Sequence, residues 1–467
     1  MAILLSIANY KKVSFFAVIV WGYTKEIDAF QNQIGKFFKP EYLQKKAVET
    51  EFFKRTSKLL PAKFFEVLLF SGAHIGRFSL RDFSSEILKS FKIRISKQGF
   101  NDRFNDEAVI FIKSVFEDLM ANQLKLNFDP NFLKHFNRVK IKDGTKFKLD
   151  KSLEKSFKGF GKGAESVVSL QLEYDAKNSE FLELDITSGN FTDAAIAKKR
   201  VANLQKGDLD IFDLGYFHVG TLKKIEEKEA FFLSRLITSV SVFSADNKEI
   251  SFKDLYAEMK KKKIVRKEIS VLISAKEKMP VRLFVEIVPD TVYEERIRVR
   301  KSKKKKHNSK ISDETIIRAR FNLMITNIDK EIVTVDNVKE LYKTRWQIEL
   351  IFKIWKSTYG IDRVHKVKYN RLMCFLYAKL ILLLINGQVV NLLQARIHKK
   401  GNVMLSNSKC HKTLVINIKE MLHVLMRTNE EMNQYLYDLF EILVVNHNLE
   451  KRKNKLSYLE IIQLYSC

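Results

Sequence analysis

Residues 342–356, Y-K-T-R-W-Q-I-E-L-I-F-K-I-W-K, hold the side chains best suited to chemistry. On a helix at about 100° per residue, Tyr342, Arg345, Glu349 and Lys356 fall within roughly 60° of one another. Leu341, Ile348, Ile351, Phe352 and Trp355 gather on a neighbouring arc, centred about 90° away, that can face a core. The polar face then carries one carboxylate, two fixed cations and a phenol. A carboxylate suits a divalent metal ion, and Arg and Lys suit phosphate oxygens. One face bearing both fits phosphodiester chemistry. An amphipathic helix with a solvated charged face has the same composition, so the spacing has to decide between them.

That spacing, Y-x2-R-x3-E-x6-K, resembles the YREK signature of the IS4-type DDE transposases, cut-and-paste enzymes of bacterial insertion sequences. The segment matches it at every fixed position. The resemblance implies two further carboxylates upstream, each at a strand end. The first candidate is Asp143 in Arg138-Val-Lys-Ile-Lys-Asp-Gly-Thr145. Val139 and Ile141 alternate with charged residues, as in a half-buried strand, and Asp-Gly is expected to end that strand in a turn. The second is Asp213 in Leu209-Asp-Ile-Phe-Asp-Leu-Gly-Tyr216, where a short apolar strand stops at an Asp. Both look like the family's D-G-T and D-x-G-Y environments. Alone, each Asp would read as a turn residue; together with the helix they read as ligands. Asp208 and Asp210 are rivals for the second position, placed lower because they precede or lie within the strand.

The resemblance implies a chemistry and its partners. Asp143, Asp213 and Glu349 would hold two Mg²⁺ or Mn²⁺ ions. Arg345 and Lys356 would grip phosphates near the cleaved strand end, and Tyr342 would hydrogen-bond a neighbouring phosphate. The partners would be double-stranded DNA, as transposon inverted-repeat ends and target, and a second copy of the chain as a homodimer in the synaptic complex. A nuclease on the same core without strand transfer is an alternative, as is an inactive, domesticated DNA-binding protein.

The elements that must position these residues follow from the pattern. Val167–Tyr174 and Phe181–Thr187 read as strands joined by a turn. Thr192 is a plausible cap for a helix running to about Leu204. The strand ending at Asp213 follows, then a helix over Val219–Glu229 and a short strand at Phe231–Leu233. Three strands, helix, strand, helix, strand and a much later helix resemble an RNase H-like core, an α+β or α/β arrangement of mixed sheet and helices. Asp213 and Glu349 are 136 positions apart, too many for one connection. The residues between them contain β-rich stretches at Ser239–Phe243, Glu268–Ile273, Val281–Val288 and Phe321–Ile325. Lys260–Lys263 and Arg296–Lys310 lie between these stretches and read as basic loops of an inserted β-domain. The family carries an insertion here, in some members with a Trp that stacks on an unstacked base. All three Trp of this chain lie elsewhere, at Trp21, Trp346 and Trp355, leaving Tyr293 or a Phe as substitutes.

The expected organisation is a helical DNA-binding region over 1–135, core over 136–236, β-rich basic insertion over 237–330, core again over 331–395 and a helical region over 396–467. In the first region, Ser79–Phe91 and Ser96–Met120 show helical spacing. Lys97, Gln98, Asn101 and Arg103 are placed to reach DNA from the start of a recognition helix, although two ordinary packed helices would look the same. Helices such as Asn429–Val445 suit dimerisation or packing within the monomer.

Composition sets the outer bounds. A formal charge of +28 over 467 residues exceeds what solubility asks for and points to a polyanion, with nucleic acid the default. Five Pro and sixteen Gly argue against long disordered regions. Cys374, Cys410 and Cys467 are scattered without metal-ligand spacing, which fits a reducing, cytoplasmic setting (bacterial, at the nucleoid) and a metal held by carboxylates. Val13–Tyr23 is an apolar run without an A-x-A cleavage site. Phe375–Ile385 is too short to span a bilayer, so no membrane partner is expected and the run reads as a buried core helix.

Overall fold

A computed structural model describes residues 25–124, 135–160, 165–306, 311–401 and 405–447. The Val13–Tyr23 run, Cys467 and the end of the Arg296–Lys310 basic stretch lie outside them.

Among the described residues, nine strands form one sheet in the order β3-β2-β1-β4-β5-β9-β8-β7-β6. β1 (Val139–Lys148), β2 (Val167–Asp175) and β3 (Glu180–Ser188) run antiparallel. β4 (Leu209–Phe212) lies parallel to β1, and β5 (Phe231–Arg235) parallel to β4. This half is the RNase H-like core. Its parallel strands have crossover helices, Asp193–Arg200 before β4 and Val219–Glu227 between β4 and β5. Thr192 caps the first of these, its hydroxyl accepting from the Ala195 amide.

The segment between the two core parts does not stand apart as a separate β layer. β6 (Val242–Phe243), β7 (Arg266–Ile273), β8 (Met279–Ile287) and β9 (Phe321–Thr326) extend the core sheet, because β9 pairs antiparallel with β5. The expected basic loop at Arg296–Lys310 is helix Asp290–Lys306 in its described part. Arg and Lys are good helix formers. Arg296 and Arg300, four residues apart, dock one face by donating to the carbonyls of Ala319, Phe321 and Thr315.

Alternation along the strands gives the sheet two covered faces. Val139, Ile141, Leu209, Ile211 and Leu233 belong to the front core, shared with the N-terminal helices, the Glu349 helix, the long helix Tyr369–Gly401 and the C-terminal helices. Phe212, Phe232 and Tyr216 belong to the back core, shared with the crossover helices and helix Phe252–Lys261. The long helix has an apolar stretch, Tyr369–Ala395, of membrane-spanning length, yet it is almost wholly buried inside the protein. The Phe375–Ile385 run is thus the middle of a core helix longer than its apolar pattern suggests.

Three local expectations change. β1 does not end at Asp143-Gly144 but runs on to Lys148, because every residue from Lys140 to Lys148 is paired with β2. Ser96–Met120 is not one helix. Ser96 caps the five-residue Lys97–Asn101, and a second helix, Asp106–Ala121, starts afresh with Asn105 as its cap. The segment that carries Tyr342, Arg345, Glu349 and Lys356 breaks into Val338–Lys343 and Trp346–Ser357. The Thr344 hydroxyl donates back to the Leu341 carbonyl at 2.7 Å, and the junction tightens into i→i+3 bonds. Thr344 and Arg345 keep helical dihedrals, so the polar face survives the break.

Candidate active site

The site begins with register. Ile141 of β1 pairs with Ile211 of the parallel β4. Two residues further along each strand, Asp143 and Asp213 stand level, just past the last paired position. The same count on β5, where Phe212 pairs with Ser234, sets Arg235 level with Asp213. All three share the parity of Ile141, Ile211 and Leu233, and therefore the front face. The crevice beyond the carboxyl ends of parallel strands is the usual site in such sheets.

The Glu349 helix packs over β1 on this face, burying Ile348, Phe352, Ile354 and Trp355. Its charged residues meet the strand ends. Arg345 Nη2 donates to Glu349 Oε1 at 2.6 Å, and its Nη1 lies 3.6 Å from Asp143 Oδ2. The Tyr342 hydroxyl lies 3.5 Å from Asp213 Oδ1 and 3.4 Å from the Phe212 carbonyl. Arg345 and Tyr342 are each only 5% exposed, so both line the site as walls. Lys356 Nζ donates to the Lys146 carbonyl at 3.3 Å, at the far end of β1.

Asp143 reports the crowding of charge. Burial, first, pushes its carboxyl up to about 6. The Gly144 amide, donating at 2.8 Å, and the Arg345 guanidinium pull it down, while the charges of Glu349 and Asp213 push it further up. Arg345 is the counter-charge of this group. Burial alone would lower its pKa, but the Glu349 hydrogen bond, Tyr342 and Asp213 raise it.

The rival carboxylates face away. Asp208 pairs with Arg138 at 2.5 Å and Asp210 with Lys142 at 2.5 Å, both carboxylates buried on the back face. Among the four DNA-contact candidates of the first region, Lys97 and Gln98 are exposed, with Gln98 bonded to Asp102. Asn101 accepts from Arg371, and Arg103 is half-buried. Tyr293 is engaged by the Arg320 guanidinium, 3.5 Å from its ring centre.

Sequence reasoning missed Arg235. It is exposed, its guanidinium 5.7 Å from the Tyr342 ring centre, at the mouth of the same crevice. The signal was available: it ends the next parallel strand after the one that ends at Asp213.

Residues 134–385, more than half the chain, match the family model described as the transposase DDE domain, and the chain belongs to that family. Its relatives include the transposase for insertion sequence element IS231F of Bacillus thuringiensis subsp. israelensis, 26% identical over 94% of this chain and 95% of that protein. The transposase for insertion sequence element IS1151 of Clostridium perfringens is 28% identical over 78% of this chain and 81% of that protein. The piggyBac transposase of a synaptic complex with hairpin DNA aligns over 96% of this chain and 87% of its own at 10% identity. Its TM-score of 0.42 is too low to equate the two backbones.

Membership implies dependence on divalent metal in general. The donor chemistry fits: three hard carboxylates, two of them raising the proton affinity of the third, favour a hard cation. Among the described residues no three potential ligands stand close enough to share an ion as they are arranged, and the Arg345 guanidinium contacts two of the three carboxylates.

Proposed function

We propose that the chain is a cut-and-paste DNA transposase of the IS4 type, acting on the ends of its own insertion sequence and joining them to target DNA as a homodimer. Asp143, Asp213 and Glu349 are its ligands for two Mg²⁺ or Mn²⁺ ions. The observation that carries the reading is the common level of Asp143 and Asp213 on adjacent parallel strands, with Glu349 tied to the same point through Arg345. The excess of positive charge supports a DNA substrate.

Ions held by these carboxylates would supply Lewis acidity, which would lower the pKa of the attacking water or 3′-hydroxyl and stabilise the leaving 3′-oxygen. The protein's part is charge and placement. Burial chiefly, and the Glu349 and Asp213 charges after it, raise the Asp143 carboxyl, which supports a place for a cation beside these carboxylates. Arg345 neutralises them and carries donors suited to a phosphate, and Lys356 offers a second cation along β1. Tyr342, whose phenol burial and then Asp213 push up to about 12 against the pull of Arg235 and Arg345, stays a neutral donor at physiological pH.

The test is single-turnover strand transfer with pre-cleaved ends and a target plasmid, beside nicking of uncleaved ends. Joining supports transposition. Nicking without joining identifies a nuclease, and end binding with neither identifies an inactive binding protein.

A further inference from the structure

Beneath the carboxylates, on the back of the sheet, one buried amide reaches both β1, at Gly144, and the turn that follows Asp213, at Tyr216. Gln171 of β2 lies opposite Gly144 of β1. Its side chain fills the space a Cβ on Gly144 would need: built there, that atom would be 2.4 Å from Nε2 and 2.7 Å from Cδ. Oε1 of Gln171 accepts from the Tyr216 hydroxyl at 2.6 Å. Nε2 donates to Asp193 Oδ1 at 3.0 Å and to Ser169 Oγ at 3.1 Å. Tyr216 closes the 3₁₀ turn that starts from Asp213. Gly215, in the same turn, leaves room for Asp193, whose Oδ2 would be 2.9 Å from a Cβ there. Gln171 and Ser169 are fully buried and Tyr216 nearly so.

The two Asp motifs therefore meet at one side chain. After Asp143 comes a glycine that admits the Gln171 amide. After Asp213 come a glycine that admits the amide's acceptor and a tyrosine that grips its oxygen. We propose that Gln171, held by Tyr216 and Asp193, is a positioning residue that sets the separation of Asp143 and Asp213 and so the affinity of the site for its cation. It acts through the strands and touches neither metal nor DNA. The amide is locked because rotating it would leave buried partners unpaired on both sides. This inference rests on the proposed role of the three carboxylates.

The experiment titrates the full-length protein with Mn²⁺, following free Mn²⁺ by electron paramagnetic resonance, and melts each variant in EDTA. Outer-shell changes of this kind weaken metal affinity about 10–100-fold. Tyr216→Phe and Gln171→Ala should each weaken Mn²⁺ binding about tenfold or more. Gly144→Ala should lower the melting temperature, and Gly144→Ala with Gln171→Ala should restore it without restoring Mn²⁺ affinity. Glu349→Gln is the separate arm for the carboxylate reading. If Glu349→Gln loses Mn²⁺ while Tyr216→Phe and Gln171→Ala bind it as the wild type does, the positioning role is wrong and the carboxylate reading stands. If Glu349→Gln also binds as wild type, both fall. A Gln171→Ala chain that does not fold leaves Tyr216→Phe to decide.

Discussion

The two faces of the same short strands treat charge in opposite ways. On the back, Lys140 meets Glu173 at 2.6 Å and Lys142 meets Asp210 at 2.5 Å, all four side chains no more than 2% exposed. On the front, one residue along, Asp143 keeps about a quarter of its side chain exposed and Glu349 more than a third, with a single guanidinium between them. The back face is closed and matched, as buried charges must be. The front face carries surplus negative charge at a crevice. Side-chain alternation separates an aspartate that holds the sheet together from one that is available for chemistry.

The contrast is broken most sharply at Glu349. Glu349→Gln should cut nicking of labelled ends by about 10³-fold or more, near 4 kcal/mol of barrier. Gel shift should show end binding retained, since phosphate contacts come from Lys and Arg. Nicking at the wild-type rate would remove Glu349 from the site.

Stability separates the faces next. Asp210→Asn leaves Lys142 buried without a counter-charge and should cost about 3–5 kcal/mol in denaturant melts. Asp143→Asn should do the reverse in EDTA. The Asp143 carboxyl titrates at about 6, above its ordinary 3.8. The folded protein therefore binds the extra proton, and wild-type stability falls as pH rises between those values. The Asn variant escapes that loss, so its advantage should be absent below about pH 4 and reach about 1–3 kcal/mol above pH 6. Mn²⁺ should then stabilise the wild type more than Asp143→Asn. A loss of stability in Asp143→Asn comparable to that in Asp210→Asn would erase the distinction.

Arg345 tests the front face alone. Arg345→Ala should slow strand transfer by at least roughly tenfold, about 1.4 kcal/mol. Arg345→Lys should rescue it partly, for want of paired donors. Full activity in the alanine variant would leave the guanidinium only a structural counter-charge. The smallest effect belongs to Lys97, exposed on a five-residue helix. Lys97→Ala should weaken end binding no more than about threefold and flatten its salt dependence by about one ion. An unchanged slope would place that surface away from DNA.

The front face was more legible in sequence than the back. Residue type and spacing on the Glu349 segment survive a local break, because Thr344 alters hydrogen bonding without leaving helical dihedrals. Asp213 is visible as the end of an apolar run. Asp143 was found by its motif, although its strand does not stop there. The partner β2 runs alongside it, and that pairing is a long-range fact. Lys140 and Lys142 look like solvent-facing alternation. Only the buried carboxylates of Glu173 and Asp210, on neighbouring strands, reveal that both lysines point into an interior. Likewise β-rich segments after Arg235 give no sign that β9 returns to pair with β5.

The long helix Tyr369–Gly401 also constrains the order of folding. Helices Pro61–Ser71 and Asp106–Ala121 complete their core against it and the C-terminal helices. During synthesis those early segments must wait until about residue 400 has left the ribosome, with their apolar faces unmatched until then. A message truncated before that point would leave the N-terminal helices without the partner that completes their core. Such a product would present those apolar faces to solvent and be prone to aggregation and proteolysis.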